Sequence, residues 1–127
     1  MKMLAVGILI QDEKALVVKR SALDCQEGLW GFPSVTVSSG VSEEATLTGE
    51  FKNQFGIEVK TEECFFKSDY QEKDEEVTFR VYLVSSEQGY VPNNSGPETR
   101  MVSKEELKFL NFKGEDIDIV NHLFGYF

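Results

Sequence analysis

The sequence predicts an α/β fold: an α/β/α sandwich with a central mixed β-sheet, formed as one domain over residues 1–127. Three observations predict it. Apolar, β-rich runs recur along the chain, each bounded by turn residues. A stretch with helical spacing and clear start and stop signals divides the early runs from the late ones, and a second such stretch closes the chain. A length of 127 residues is also enough to bury roughly two-thirds of the unfolded surface without disulfide or metal staples.

The elements follow in order. Residues 3–10 and 15–20 are β-rich runs joined by the polar turn Gln11-Asp12-Glu13-Lys14, which reads as a hairpin. Residues 21–28 form a loop. Trp30-Gly31-Phe32 and Val35-Thr36-Val37 are short strand pieces around Pro33, and Ser38-Ser39-Gly40 is a turn of small residues. Residues 42–55 are the best-signalled helix. Ser42 is an N-cap, and Glu43 and Glu44 set negative charge at the positive end of the helix dipole. Leu47, Phe51 and Phe55 define a buried stripe, and Gly56 is a left-handed C-cap. Gly49 lies mid-helix, where it costs about 1 kcal/mol relative to Ala. Such a glycine serves close packing or marks a lost functional side chain.

Residues 57–59, 63–70 and 76–86 read as strands, the last two linked by a charged turn at 71–75. Val77, Phe79, Val81 and Leu83 alternate with Thr78, Arg80, Tyr82 and Val84, the pattern of a strand with one mostly polar face. Residues 91–97 are a loop and 99–102 a short strand. Ser103 caps a turn of helix through Leu107, and residues 116–124 form a closing amphipathic helix.

Composition limits the function classes. A net charge of −9, from 22 acids against 13 lysines and arginines, repels nucleic-acid backbones, so no nucleic-acid partner is expected. A single basic pocket for one nucleotide is still compatible with that balance. Cys25 and Cys64 lack metal-ligand spacing and read as two reduced thiols of a cytosolic protein. The apolar run after Lys2 has no cleavage site behind it, and no segment approaches the roughly 18 apolar residues of a membrane span. The expectation is a soluble cytoplasmic protein with no membrane partner.

The sharpest motif runs from Gly28 to Ile57: Gly-Leu-Trp-Gly-Phe-Pro, a short turn, a helix opened by Ser42-Glu43-Glu44-Ala45, and Gly56-Ile57. It resembles the Nudix box, the strand-loop-helix of Mg²⁺-dependent hydrolases that split nucleoside diphosphates linked to another group. The family pattern is G-x5-E-x7-R-E-U-x-E-E-x-G-U, with U a bulky aliphatic. Laid on this chain without a gap, Glu50, Gly56 and Ile57 match, and Phe51 fills an aliphatic slot. Val35 stands for the first Gly, Val41 for the first Glu, Gly49 for the Arg and Asn53-Gln54 for the paired Glu-Glu. Arg-Met-Val-Ser-Lys-Glu-Glu-Leu at 100–107 is similar to a late family segment, with Met101 where an aromatic is usual. The resemblance implies the Nudix-like sandwich over nearly the whole chain.

The departures bear on chemistry. Splitting a pyrophosphate with Mg²⁺ needs hard carboxylate ligands to neutralise phosphoryl charge and to supply an activated water. Residues 50, 53 and 54 are spaced to share one helix face. In the family all three are Glu; here Glu50, Asn53 and Gln54 carry a single charge. Glu50 is therefore read as a residual catalytic or metal-binding acid, or else as a surface acid, with Asn53 and Gln54 at degenerate metal positions. Glu43 could join Glu50 or could serve only the helix dipole. Glu98 falls where some family members carry a late-loop catalytic acid and is otherwise a solvated loop residue. Arg20 could face a ligand's phosphates, and Trp30 and Phe32 could stack on a base or lie in the core. His122 reads as structural.

The resulting expectation is a catalytically impaired Nudix-superfamily protein that binds a small nucleotide-like ligand or a partner. No tightly bound cofactor is expected, Mg²⁺ being implied by the resemblance alone; a homodimer is left open. The alternative is an active Mg²⁺-dependent hydrolase of nucleoside diphosphate derivatives that recruits acids such as Glu43 and Glu98. A third reading is a structural or interaction module; the family fold also occurs as the lesion-reading domain of adenine DNA glycosylases, whose entry motif is similar to Leu29–Pro33, but the acidic charge conflicts with that role.

Overall fold

The computed structural model describes residues 2–19, 29–72, 74–87, 98–112 and 114–126. Its strands are β1 (Lys2–Gln11), β2 (Lys14–Lys19), β3 (Trp30–Gly31), β4 (Ser34–Thr36), β5 (Lys60–Glu72), β6 (Glu75–Ser85) and β7 (Thr99–Ser103). Its helices are α1 (Glu43–Phe55), α2 (Lys104–Leu107) and α3 (Gly114–Tyr126). The sheet runs β3-β2-β1-β6-β5, with β4 paired to β1 and β7 to β2. β1 and β6 are parallel over eight residue pairs from Lys2↔Val77 to Leu9↔Val84, while the other pairings are antiparallel. The sheet is therefore mixed, as the sequence predicts.

Strand alternation divides two apolar layers. Ala5 and Leu9 on β1, with Leu16, Tyr82 and Val84, pack under Leu47, Phe51 and Phe55 of α1. Val6 and Ile8, with Ala15, Val17, Phe79, Val81 and Leu83, pack against Ile119, Val120 and Leu123 of α3. Gly7 lies between Ala5 and Leu9 on the α1 side. A Cβ at that position would stand 2.5 Å from the Phe51 ring, so the absence of a side chain lets α1 close onto the sheet.

The local signals behave as their chemistry requires. Ser42 adopts an extended backbone and its hydroxyl accepts from the Ala45 N–H at 3.2 Å. Gly56 takes φ 67° and its N–H reaches the Lys52 carbonyl at 3.1 Å, ending α1. At α2, Ser103 and Glu106 form a reciprocal capping box, and the bonds from Ser103 hold the Glu106 carboxyl below its ordinary range.

Three expectations need correction. Residues 57–59 are not a strand; β5 begins at Lys60 and runs unbroken to Glu72, with bulges between Thr61 and Phe66 that let it follow β6. The charged turn is tighter than 71–75, because pairing extends to Glu72↔Glu75. The mostly polar face of β6 is covered: Thr78, Tyr82 and Val84 are buried. Polar side chains on that face find partners under α1 or on β5, which a period-two pattern cannot reveal. Helix α3 also extends two residues past each end of the predicted 116–124. The predicted loops at 21–28 and 91–97, together with Cys25, lie outside the described residues.

Candidate functional site

Helix α1 carries four of the candidate side chains, Glu43, Glu50, Asn53 and Gln54. Glu50 is half-buried, and burial pushes its carboxyl above the ordinary value. Asn53 and Gln54 are exposed. At Gly49 an added Cβ would meet no atom within 4 Å, so close packing does not account for this glycine. Among the described residues, no group of three or more His, Cys, Asp or Glu side chains is placed to hold a metal ion.

Glu43 is held by a constellation that the sequence did not disclose. Its side chain, 13% exposed, turns from the first turn of α1 onto β6. One oxygen, Oε2, accepts from the Arg80 guanidinium at 3.2 Å and from the Tyr82 hydroxyl at 2.5 Å. Burial and the hydrogen bond to Glu43 push the Tyr82 phenol up to about 12. The nearby Glu43 carboxylate likewise holds the proton more firmly on Arg80. Arg80 Nε is buried without a hydrogen-bond partner among the described residues. The available signal was the i, i+2 spacing of Arg80 and Tyr82 on one face of a strand, which becomes legible only once α1 is known to cover that face.

The other described candidates have partners of their own. The Glu98 carbonyl accepts from the Lys19 N–H at 2.9 Å, and its 59% exposed carboxylate lies 3.9 Å from Lys19 Nζ. Trp30 is buried with the Arg100 guanidinium 5.2 Å from its ring centre. Phe32 is fully buried and stacks on Phe112, ring centres 5.5 Å apart. His122 is exposed on α3, its ring against Phe66 at 4.0 Å. Arg20 lies outside the described residues.

The sequence pattern of the NUDIX domain matches residues 1–123. The chain belongs to the Nudix family.

Solved structures show the same fold. The ORF135 protein of E. coli superposes with a TM-score of 0.83 at 20% identity, over 98% of this chain and 89% of that one. A MutT protein from Methanosarcina mazei Go1 gives 0.77 at 14% identity, over 98% and 93%. An ADP-ribose pyrophosphatase from Streptococcus suis 89-1591 gives 0.68 at 18% identity, over 94% and 88%. No curated protein matches the sequence significantly. At these identities the likeness is one of fold. Nudix proteins usually work with Mg²⁺.

Proposed function

We propose that this Nudix-family protein binds a small nucleotide-like ligand, a nucleoside diphosphate derivative, and has lost most of the family's capacity to split it. The observation that carries the reading is the α1 face at Glu50, Asn53 and Gln54. Two of these three side chains are neutral amides, and the remaining carboxyl is half-buried with a raised pKa. Such a donor set does not fit Mg²⁺, a hard cation that favours several charged oxygens in octahedral geometry. Glu43 is a poor substitute ligand, since its carboxylate charge is already offset by the Arg80 guanidinium bound at Oε2.

For binding, Arg20 is the proposed partner of the ligand's phosphates. Partly buried Val18, Val35 and Met101, packed on the α1-side core, offer an apolar surface for the rest of the ligand. Trp30 and Phe32 contribute by fixing β3 rather than by stacking, because Phe32 has no exposed surface. Glu98, close to Lys19, is a polar group at the edge of the ligand rather than a replacement acid. Family relatives named as an ADP-ribose pyrophosphatase and a UDP-X diphosphatase support the substrate class of the ligand.

Calorimetry with Mg²⁺ and Mn²⁺, followed by binding and cleavage assays on a panel of nucleoside diphosphate derivatives, tests this reading. Ligand binding without appreciable cleavage is expected. Turnover at an ordinary enzyme rate of ~1–10³ s⁻¹ would refute it and establish a hydrolase with non-standard acids.

A further inference from the structure

The constellation around Glu43 stands at one end of the helix that carries the proposed ligand face. Glu43 and Glu50 are seven residues apart on α1, so they lie nearly above one another, about 10 Å along the axis. From β6, the Arg80 guanidinium and the Tyr82 hydroxyl both donate to Glu43 Oε2. Their partners across the parallel pairing are Ala5 and Gly7 of β1. Gly7 is also the residue onto which Leu47 and Phe51 close. The first turn of α1 is thus tied to the sheet by charge and its middle by packing. The other side of the helix has no comparable tie. Val41, half-exposed, stands in the turn before α1, and a Cβ at Gly49 would meet nothing within 4 Å. The Nudix pattern has Glu and Arg at these two positions, whereas Val and Gly form no ion pair. At the far end Lys52 and Glu58 lie 3.9 Å apart, but both are mostly exposed, where such a pair adds little.

We infer, on the ligand-binding role proposed for the α1 face, that Arg80 and Tyr82 are positioning residues. Acting through Glu43, they fix the roll of α1 and with it the placement of Glu50, Asn53 and Gln54 toward the ligand. The tie does for this chain what positions 41 and 49 cannot. A roll of about 10° would carry a side-chain tip ~5–6 Å from the helix axis through ~1 Å. A binding site holds its groups to within ~0.5 Å, so a loosened first turn is felt two turns away. The effect falls on pose more than on stability, because desolvation offsets much of the attraction in a partly buried ion pair.

Calorimetry with ADP-ribose, thermal melts and amide NMR spectra of the free protein test this together. Tyr82→Phe removes one hydroxyl. Glu43→Gln combined with Arg80→Met removes both charges, so neither is left buried and unpaired. Val120→Ala, in the opposite apolar layer on α3, lowers stability without touching the tie. The first two variants should lose affinity by about fivefold or more, whereas Val120→Ala should keep it whatever its Tm. In the free protein, the Glu50, Asn53 and Gln54 amide signals should shift in the first two and stay in place in Val120→Ala. Arg80→Lys, which keeps the charge, should retain part of both readouts that Arg80→Met loses. Amides that stay in place in the first two variants, or that move as far in Val120→Ala, overturn the positioning role. Affinity that simply follows Tm across all variants overturns it as well. A wild type that does not bind ADP-ribose counts against the proposed ligand, while the amide spectra still decide the role of Arg80 and Tyr82.

Discussion

Glu50 occupies a position where its charge is disfavoured by its own surroundings. Burial raises its carboxyl above the value it has in the unfolded chain. The folded state therefore holds the proton to higher pH than the unfolded state, and stability falls as pH rises from the ordinary carboxylate range through the raised value. Glu50→Gln should remove that loss. The Tm of the variant relative to wild type is expected to be more favourable at pH 7 than at pH 4, and thermal melts at the two values check it. Equal differences at both would mean that the carboxyl is not perturbed. A second prediction concerns charge at the same face. Changing Asn53 and Gln54 together to Glu places three carboxylates at i, i+3 and i+4 on exposed or half-buried positions. Calorimetry should show Mg²⁺ affinity that wild type lacks, with little gain in cleavage. Metal binding needs charge, whereas turnover also needs a water and its base held within hydrogen-bond reach, and Val41 and Gly49 supply neither.

Among the elements, the β1–β2 hairpin carries an identifiable strain. Gln11 pairs with Lys14, so the two-residue turn Asp12-Glu13 must follow the strand twist, and both residues adopt positive φ, 52° and 62°. Asp tolerates that region through local hydrogen bonding, but Glu has no such advantage and pays about 1–2 kcal/mol. Glu13→Gly should stabilise the protein by about 1 kcal/mol, measured as a higher urea midpoint with unchanged slope. An unchanged or lower midpoint would show that the turn relaxes in solution.

Across the whole molecule, one missing side chain governs how a helix meets the sheet. Gly7 and Phe51 are 44 residues apart in sequence, yet the Phe51 ring occupies the space a Cβ at Gly7 would need. Gly7→Ala should therefore displace α1 or force Phe51 from its place, at a cost of about 1–3 kcal/mol for overpacking. The variant's urea midpoint checks this, and Gly7→Ala combined with Phe51→Leu should recover part of the loss if the two residues are coupled. Two independent losses that simply add would sink the account.

The sequence by itself determined the elements whose causes are local. Ser42, Gly56 and the stripe Leu47, Phe51 and Phe55 encode α1 through capping and spacing, and the interleaving of strands with helices encodes the α/β class. It also made plain the loss of charge at Asn53 and Gln54, since a helix fixes which side chains share a face. What only the tertiary structure decided were relations between distant segments. Glu43 meets Arg80 and Tyr82 across 37 and 39 residues. The alternation on β6 marks two faces but not what covers them, and the mostly polar face turned out to lie partly beneath α1. The extension of the predicted 63–70 to the final strand 60–72 likewise followed from bulged pairing with β6. Periodicity fixes which way side chains point along one element, whereas partners are chosen by packing between elements, where no local pattern reaches.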